Sequence, residues 1–161
     1  MEKPAFRFED FLADVHPDHW AFAGDIHALL LGEGYKMKME RKANGFLVSY
    51  AHPKTRRSLL NFVFRKGALV TRVYADHLGA YEAFLRALPE AMEQEIKWAA
   101  NCKRLVDPAH CNSRCPMGYD FFVGESRYRK CRYSGFQFAV TPESAPVLRA
   151  FVEKELRARG E

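Results

Sequence analysis

At 161 residues, with 48% hydrophobic and 14% aromatic side chains, the chain is long enough to bury a core without disulfide staples, and residues 1–161 read as a single domain. Its net charge of +5 is too slight to name a nucleic-acid partner. The longest apolar run, residues 28–31, falls far short of the roughly 20 residues of a membrane span.

The N-terminal stretch is charged throughout and lacks the apolar centre of an export signal, so the expected location is the cytoplasm, where cysteines stay reduced. A helical turn is expected over residues 8–15. Asp18 then caps a helix that presents Phe22, Ile26, Leu29 and Leu30 on one face and ends at Gly32 and Gly34. Strand chemistry follows: residues 36–42, the turn-forming pair Asn44-Gly45, residues 46–50, a basic loop from Lys54 to Arg57, then residues 57–65 and 68–74 hinged on Lys66-Gly67. These make a four-stranded antiparallel meander.

From residue 78 to residue 98, Tyr81, Phe84, Leu85, Leu88, Met92 and Ile96 recur at helical spacing, with Pro89 as a kink or a second start. The apolar face of this helix is expected to cover the meander. Residues 119–123, 127–133 and 136–140 read as short strands, and Thr141-Pro142 opens a last helix with Leu148, Phe151, Val152 and Leu156 buried. The fold class is α+β, with helices packed on one face of a mostly antiparallel sheet.

Chemistry concentrates between Lys97 and Arg132. All four cysteines lie there, with eight basic residues against three acidic ones, so this segment carries the whole excess charge of the chain. Cys102, Cys111, Cys115 and Cys131 could meet the tetrahedral demand of zinc, with His110 as a substitute ligand and nearby cations offsetting four thiolates. The spacing C-x8-C-x3-C-x15-C lacks paired Cys-x2-Cys knuckles. An iron–sulfur cluster is the other thiolate reading, since Cys115-Pro116 matches the Cys-Pro closing some ferredoxin motifs, but the remainder of such a motif is missing. Against both stands the reading of free cysteines as small buried hydrophobes. A reactive thiol is the third possibility, with His110 and Arg114 beside Cys111 and Cys115; it makes the chain an enzyme only if a base and an oxyanion site converge on the thiol, so the reading leans towards a binding module.

In residues 127–133, alternation places Arg127, Arg129, Cys131 and Tyr133 on one face and Tyr128, Lys130 and Arg132 on the other. Neither face is apolar, so the strand must lie at an edge, face solvent or line a polar cavity. Arg127, Arg129, Arg132 and Arg114, with Tyr133, suit a small anionic ligand, and the 54–57 loop could extend the patch. No helix-turn-helix or aromatic-glycine RNA-binding signature accompanies them, which argues against nucleic acid. Elsewhere, His16, His19 and His27 read as cap or surface histidines, Trp20 and Trp98 as packing anchors, and Met37 and Met39 as core.

Over residues 108–121 and at Lys130-Cys131-Arg132-Tyr133, the chain resembles a group of uncharacterised small bacterial proteins that share its C-x3-C-P-M-G-Y and K-C-R-Y blocks. That resemblance implies no activity. The hairpins of residues 36–74 with the helix after them are similar to small α+β domains, some labelled iron-chaperone or frataxin-like, in element order and not in functional residues; the acidic ridge with which a frataxin holds iron has no counterpart here. Together the readings yield a binding module with a cysteine-rich basic site, built on a structural zinc with an anionic ligand beside it. The alternatives are a metal-free anion or small-ligand site and a thiol enzyme.

Overall fold

A computed structural model describes residues 5–106 and 115–160. Two short helical pieces open the chain: α1 (Phe8–Leu12), whose Asp10 carboxylate accepts the Arg7 N–H at 2.8 Å, and a 3-10 turn, Pro17–His19, that runs into α2 (Trp20–Gly32). The expected cap at Asp18 is not made by its side chain. The His16 ring instead accepts the Asp18 N–H at 3.2 Å, because Pro17 has already started the turn one residue earlier.

The meander forms as expected. β1 (Lys36–Lys42), β2 (Gly45–Ala51), β3 (Ser58–Arg65) and β4 (Ala68–Val73) pair in sequence order, and β7 (Gln137–Ala139) adds antiparallel to β4, giving one five-stranded sheet. At the first hairpin Lys42 faces Gly45, so the two loop residues are Ala43 and Asn44, one position earlier than Asn44-Gly45 suggests. Gly45 is required as the first strand residue. Its φ of +125° is in the glycine region, and a Cβ there would lie 2.8 Å from the Phe64 ring. At the second hairpin Lys66 and Gly67 are both left-handed, the backbone that a two-residue turn between twisted strands demands.

One face of this sheet is apolar. Val48, Tyr50, Leu60, Phe62, Val73 and Phe138 point into it and are fully buried, and each such side chain contributes about 1.5–3 kcal/mol by leaving water. Phe11 of α1 stacks on Phe62 at 5.3 Å and Phe22 of α2 meets it edge-on, while Phe151 of α6 (Ser144–Arg159) meets Phe136 at 5.1 Å. The other face is polar: Asn61 donates to the Tyr74 hydroxyl, and Arg72 forks onto the Gln137 side-chain oxygen. His27 bonds the buried Tyr50 hydroxyl at 2.7 Å and stacks on Phe8; burial pushes its pKa down, and Glu9 only partly opposes this.

The helical run after the meander is in three pieces: a 3-10 turn, Leu78–Tyr81, then α3 (Glu82–Arg86) and α4 (Glu90–Trp98), with Pro89 at the N-cap of α4. Its buried residues join the same core as the meander, but its main strand neighbours come later in the chain. α3 packs on β5 (Tyr119–Val123), and α4 packs on β6 (Ser126–Lys130) and β7. β5 and β6 form a separate two-stranded hairpin. α5 (Lys103–Val106) is a single turn. Trp98, expected to anchor the core, is 80% exposed. The last helix opens on a reciprocal pair of hydrogen bonds, Ser144 N–H to Thr141 Oγ1 and Thr141 N–H to Ser144 Oγ, each 2.9 Å. Among the described residues no helix is long and apolar enough to cross a membrane.

Candidate functional site

Strand β6 ends at Lys130, three residues short of the sequence expectation. Cys131 O then accepts from Ser134 N and Gly135 N, closing a turn. Gly135 is forced by proximity, since a Cβ would come 2.9 Å from Lys130 Cβ and 3.2 Å from the Tyr119 ring. The early end removes Arg132 and Tyr133 from the alternation and places them on a turn.

The basic residues therefore part company. Arg127 forks onto Asp120 at 2.9 and 2.6 Å, with Arg129 3.9 Å from the same carboxylate. The Arg127 bond holds the Asp120 carboxyl below the usual range despite some burial. Lys130 is buried and donates to Lys97 O and Ala99 O, satisfying carbonyls at the end of α4; burial pushes its pKa down. Arg132 turns the opposite way and meets Asp76 at 2.5 Å, over the rings of Tyr74 and Tyr119. Burial works against its charge, but the hydrogen bond and the charge of Asp76, with the tyrosine hydroxyls, outweigh burial and raise its pKa. Tyr133 is half exposed and stands edge-on to Tyr74. Arg114 lies outside the described residues.

Of the cysteines, Cys102, Cys115 and Cys131 are free thiols, and Cys111, like His110, lies outside the described residues. The chain segments that carry the three converge. Cys102 N–H donates to Arg129 O, Cys131 N–H donates to Ala100 O, and a Cβ on Gly118, three residues after Cys115, would lie 2.6 Å from Cys102 Sγ. The Cys102 side chain is packed close to Gly118 and is 5% exposed. Among the described residues no three His, Cys, Asp or Glu side chains gather as metal ligands.

What does gather is a cluster that the sequence reading passed over. Asp76 and His77 leave the end of β4; Glu155 and Arg159 stand one turn apart on the buried stripe of α6, both side chains fully buried. Glu155 accepts four hydrogen bonds: Tyr81 OH at 2.6 Å, Arg159 Nε at 2.7 Å, His77 Nδ1 at 3.0 Å and His77 N–H at 3.1 Å. Arg159 also donates to Ser58 O, Tyr74 O and Asp76 Oδ2, so it ties α6 to the start of β3 and the end of β4. Asp76 consequently lies between two guanidiniums, Arg159 and Arg132.

Beside this cluster is a cavity of about 470 Å³. Arg57, Asp76, His77 and Arg132 supply its charged and imidazole groups, and residues 116–119 also line it. Tyr119 is anchored there by its hydroxyl, which accepts the Ala75 N–H, and burial raises its pKa. The M-G-Y of one sequence block and the Arg of the other thus line one cavity, with Arg57 from the basic loop. The signal for Glu155 and Arg159 was in the helical spacing: they continue the stripe of Leu148, Phe151 and Val152, and charged residues on an apolar stripe must be paired.

No protein-family model, curated protein or solved structure matches the chain.

Proposed function

We propose that the protein binds a small anionic ligand in the cavity lined by Arg57, Arg132 and His77. The observation that carries this reading is the charge at the wall: the guanidiniums of Arg57 and Arg132 stand against the single carboxylate of Asp76, which is also paired with the buried Arg159. Arg132 has five N–H donors to place, and among the described residues one goes to a carboxylate. Arg127 and Arg129 are occupied by Asp120 on a different surface, so they serve as controls.

Titration calorimetry with inorganic phosphate tests the reading. Binding should weaken about tenfold or more in Arg132→Met, and also in Arg57→Met, each removing a charge-assisted contact. Arg57 is exposed, so its variant keeps the fold. Arg127→Met should bind as the parent does. A parent that binds no phosphate, or an Arg127 variant as weak as the Arg57 variant, defeats the reading.

A structural zinc is the second reading, favoured by the convergence of the chain segments that carry Cys102, Cys115 and Cys131. Cys111 or His110, outside the described residues, would complete a tetrahedral set. Elemental analysis of protein purified without added metal should then give about one zinc per chain, lost together with Cys131→Ser. Folded protein free of zinc rules it out.

A further inference from the structure

Resting on the anion-binding reading, we propose that the same cavity is catalytic: His77 is a general base that draws a proton from water and hydrolyses an ester whose other end carries the anionic group.

The geometry is that of an oriented imidazole. The Glu155 carboxylate only accepts, so the hydrogen on Nδ1 of His77 is committed to it, and Nε2 is left as the acceptor. Glu155 cannot swing away. It has no exposed surface, and its other bonds come from Tyr81, Arg159 and the backbone of His77 itself. The ring that it holds is 36% exposed and lines the cavity. An imidazole fixed through one nitrogen by a buried carboxylate, on a partly exposed ring that lines a cavity, is an arrangement that general-base catalysis uses.

The remaining wall narrows the reaction. Among the described residues lining the cavity there is no serine, threonine, cysteine or lysine, and the Asp76 carboxylate is engaged by Arg132 and Arg159; we therefore take water as the attacking group. Arg132 is the electrophilic partner, and Arg57, at the exposed rim, takes the anionic tail of the substrate. The water oxygen bonds to the ester carbonyl carbon as one water proton passes to Nε2. Negative charge gathers on the carbonyl oxygen beside Arg132. As the carbonyl re-forms, the bond to the leaving oxygen breaks, that oxygen takes the proton from His77, and acid and alcohol depart with the base restored. Of the other ionisable groups near the ring, Asp76 pairs with Arg132, while Arg159 and Tyr81 hold Glu155 in place.

Hydrolysis of 4-nitrophenyl hydrogen succinate, which carries a free carboxylate, is followed beside that of uncharged 4-nitrophenyl acetate. The parent should favour the succinate by about tenfold or more in kcat/KM, and Arg57→Met should raise KM for the succinate while leaving kcat in place. His77→Ala should lower kcat about 100-fold or more, and added imidazole should restore part of the loss. If His77→Ala proves unfolded by circular dichroism, His77→Gln replaces it. Phosphate binding with hydrolysis no faster than in the His77 variant sinks the catalytic proposal and leaves the binding reading standing. Hydrolysis that depends on His77 without phosphate binding or succinate preference sinks the binding reading and the substrate class.

Discussion

Glu155→Ala is expected to lower the unfolding free energy by about 3–5 kcal/mol, read from urea unfolding followed by far-UV circular dichroism. The size of the effect comes from what the substitution leaves behind. Glu155 and Arg159 are both without exposed surface. Deleting the carboxylate strands a buried guanidinium that retains Asp76 and two carbonyls, and it strands the hydroxyl of Tyr81, whose pKa burial and Glu155 together push upwards. Coulombic attraction between the two is not the main quantity measured, because the pair also suffers the desolvation of both ions. Removing both charges should therefore cost less than the sum of the single losses: Glu155→Leu with Arg159→Met is expected to recover a large part of the stability lost by Glu155→Leu alone. A Glu155→Ala protein within about 0.5 kcal/mol of the parent would mean that the carboxylate carries none of the anchorage of Arg159. The same substitution releases Nδ1 of His77, so ester hydrolysis should fall even at temperatures where the variant is fully folded.

How far the sequence reveals this arrangement depends on how local each cause is. The meander is legible because alternation, Gly45 and Lys66-Gly67 act over a few residues, and β1 to β4 form within one residue of expectation. The split at Pro89 is legible for the same reason. The surface that the helices choose is not, since α3 settles on β5 and α4 spans β6 and β7, strands brought together by contacts distant in sequence. The early end of β6 was hidden because it follows from close approach of Gly135 to Lys130, an effect of packing and not of propensity. In the candidate site, Arg132 and the basic loop could be read from charge alone. Glu155 could have been found as a carboxylate on an apolar stripe, but its partners Tyr81 and His77 lie 74 and 78 residues away. The cysteine count drew attention to the right stretch of chain for a partly different reason: Cys102 fills space against Gly118 and β6, and the glycine in the P-M-G-Y block answers to that contact.

Gly118→Ala should destabilise the protein by about 1–3 kcal/mol or more, and it should weaken phosphate binding as well. The added Cβ would lie 2.6 Å from both Cβ and Sγ of Cys102, and within touching distance of the Lys130 carbonyl oxygen. The sulfur could in principle rotate, but the carbonyl cannot. Its strand is fixed on one side by pairing with β5 and on the other by the bonds from Cys102 N–H to Arg129 O and from Cys131 N–H to Ala100 O. The new methyl group must therefore displace residues 116–118, which line the same cavity as Arg132. Cys102→Ala removes Sγ but leaves Cβ, so combining it with Gly118→Ala should return only part of the loss. Gly24→Ala supplies the comparison. Gly24 lies inside α2, nothing stands within 4 Å of its added Cβ, and helix propensity favours alanine there by about 0.5–1 kcal/mol. Both substitutions restrict the unfolded chain to the same extent. Opposite signs at the two positions, measured by urea unfolding, would isolate the steric demand of Cys102 and Lys130, whereas a gain at Gly118 would show that the cavity wall is not pinned by that contact.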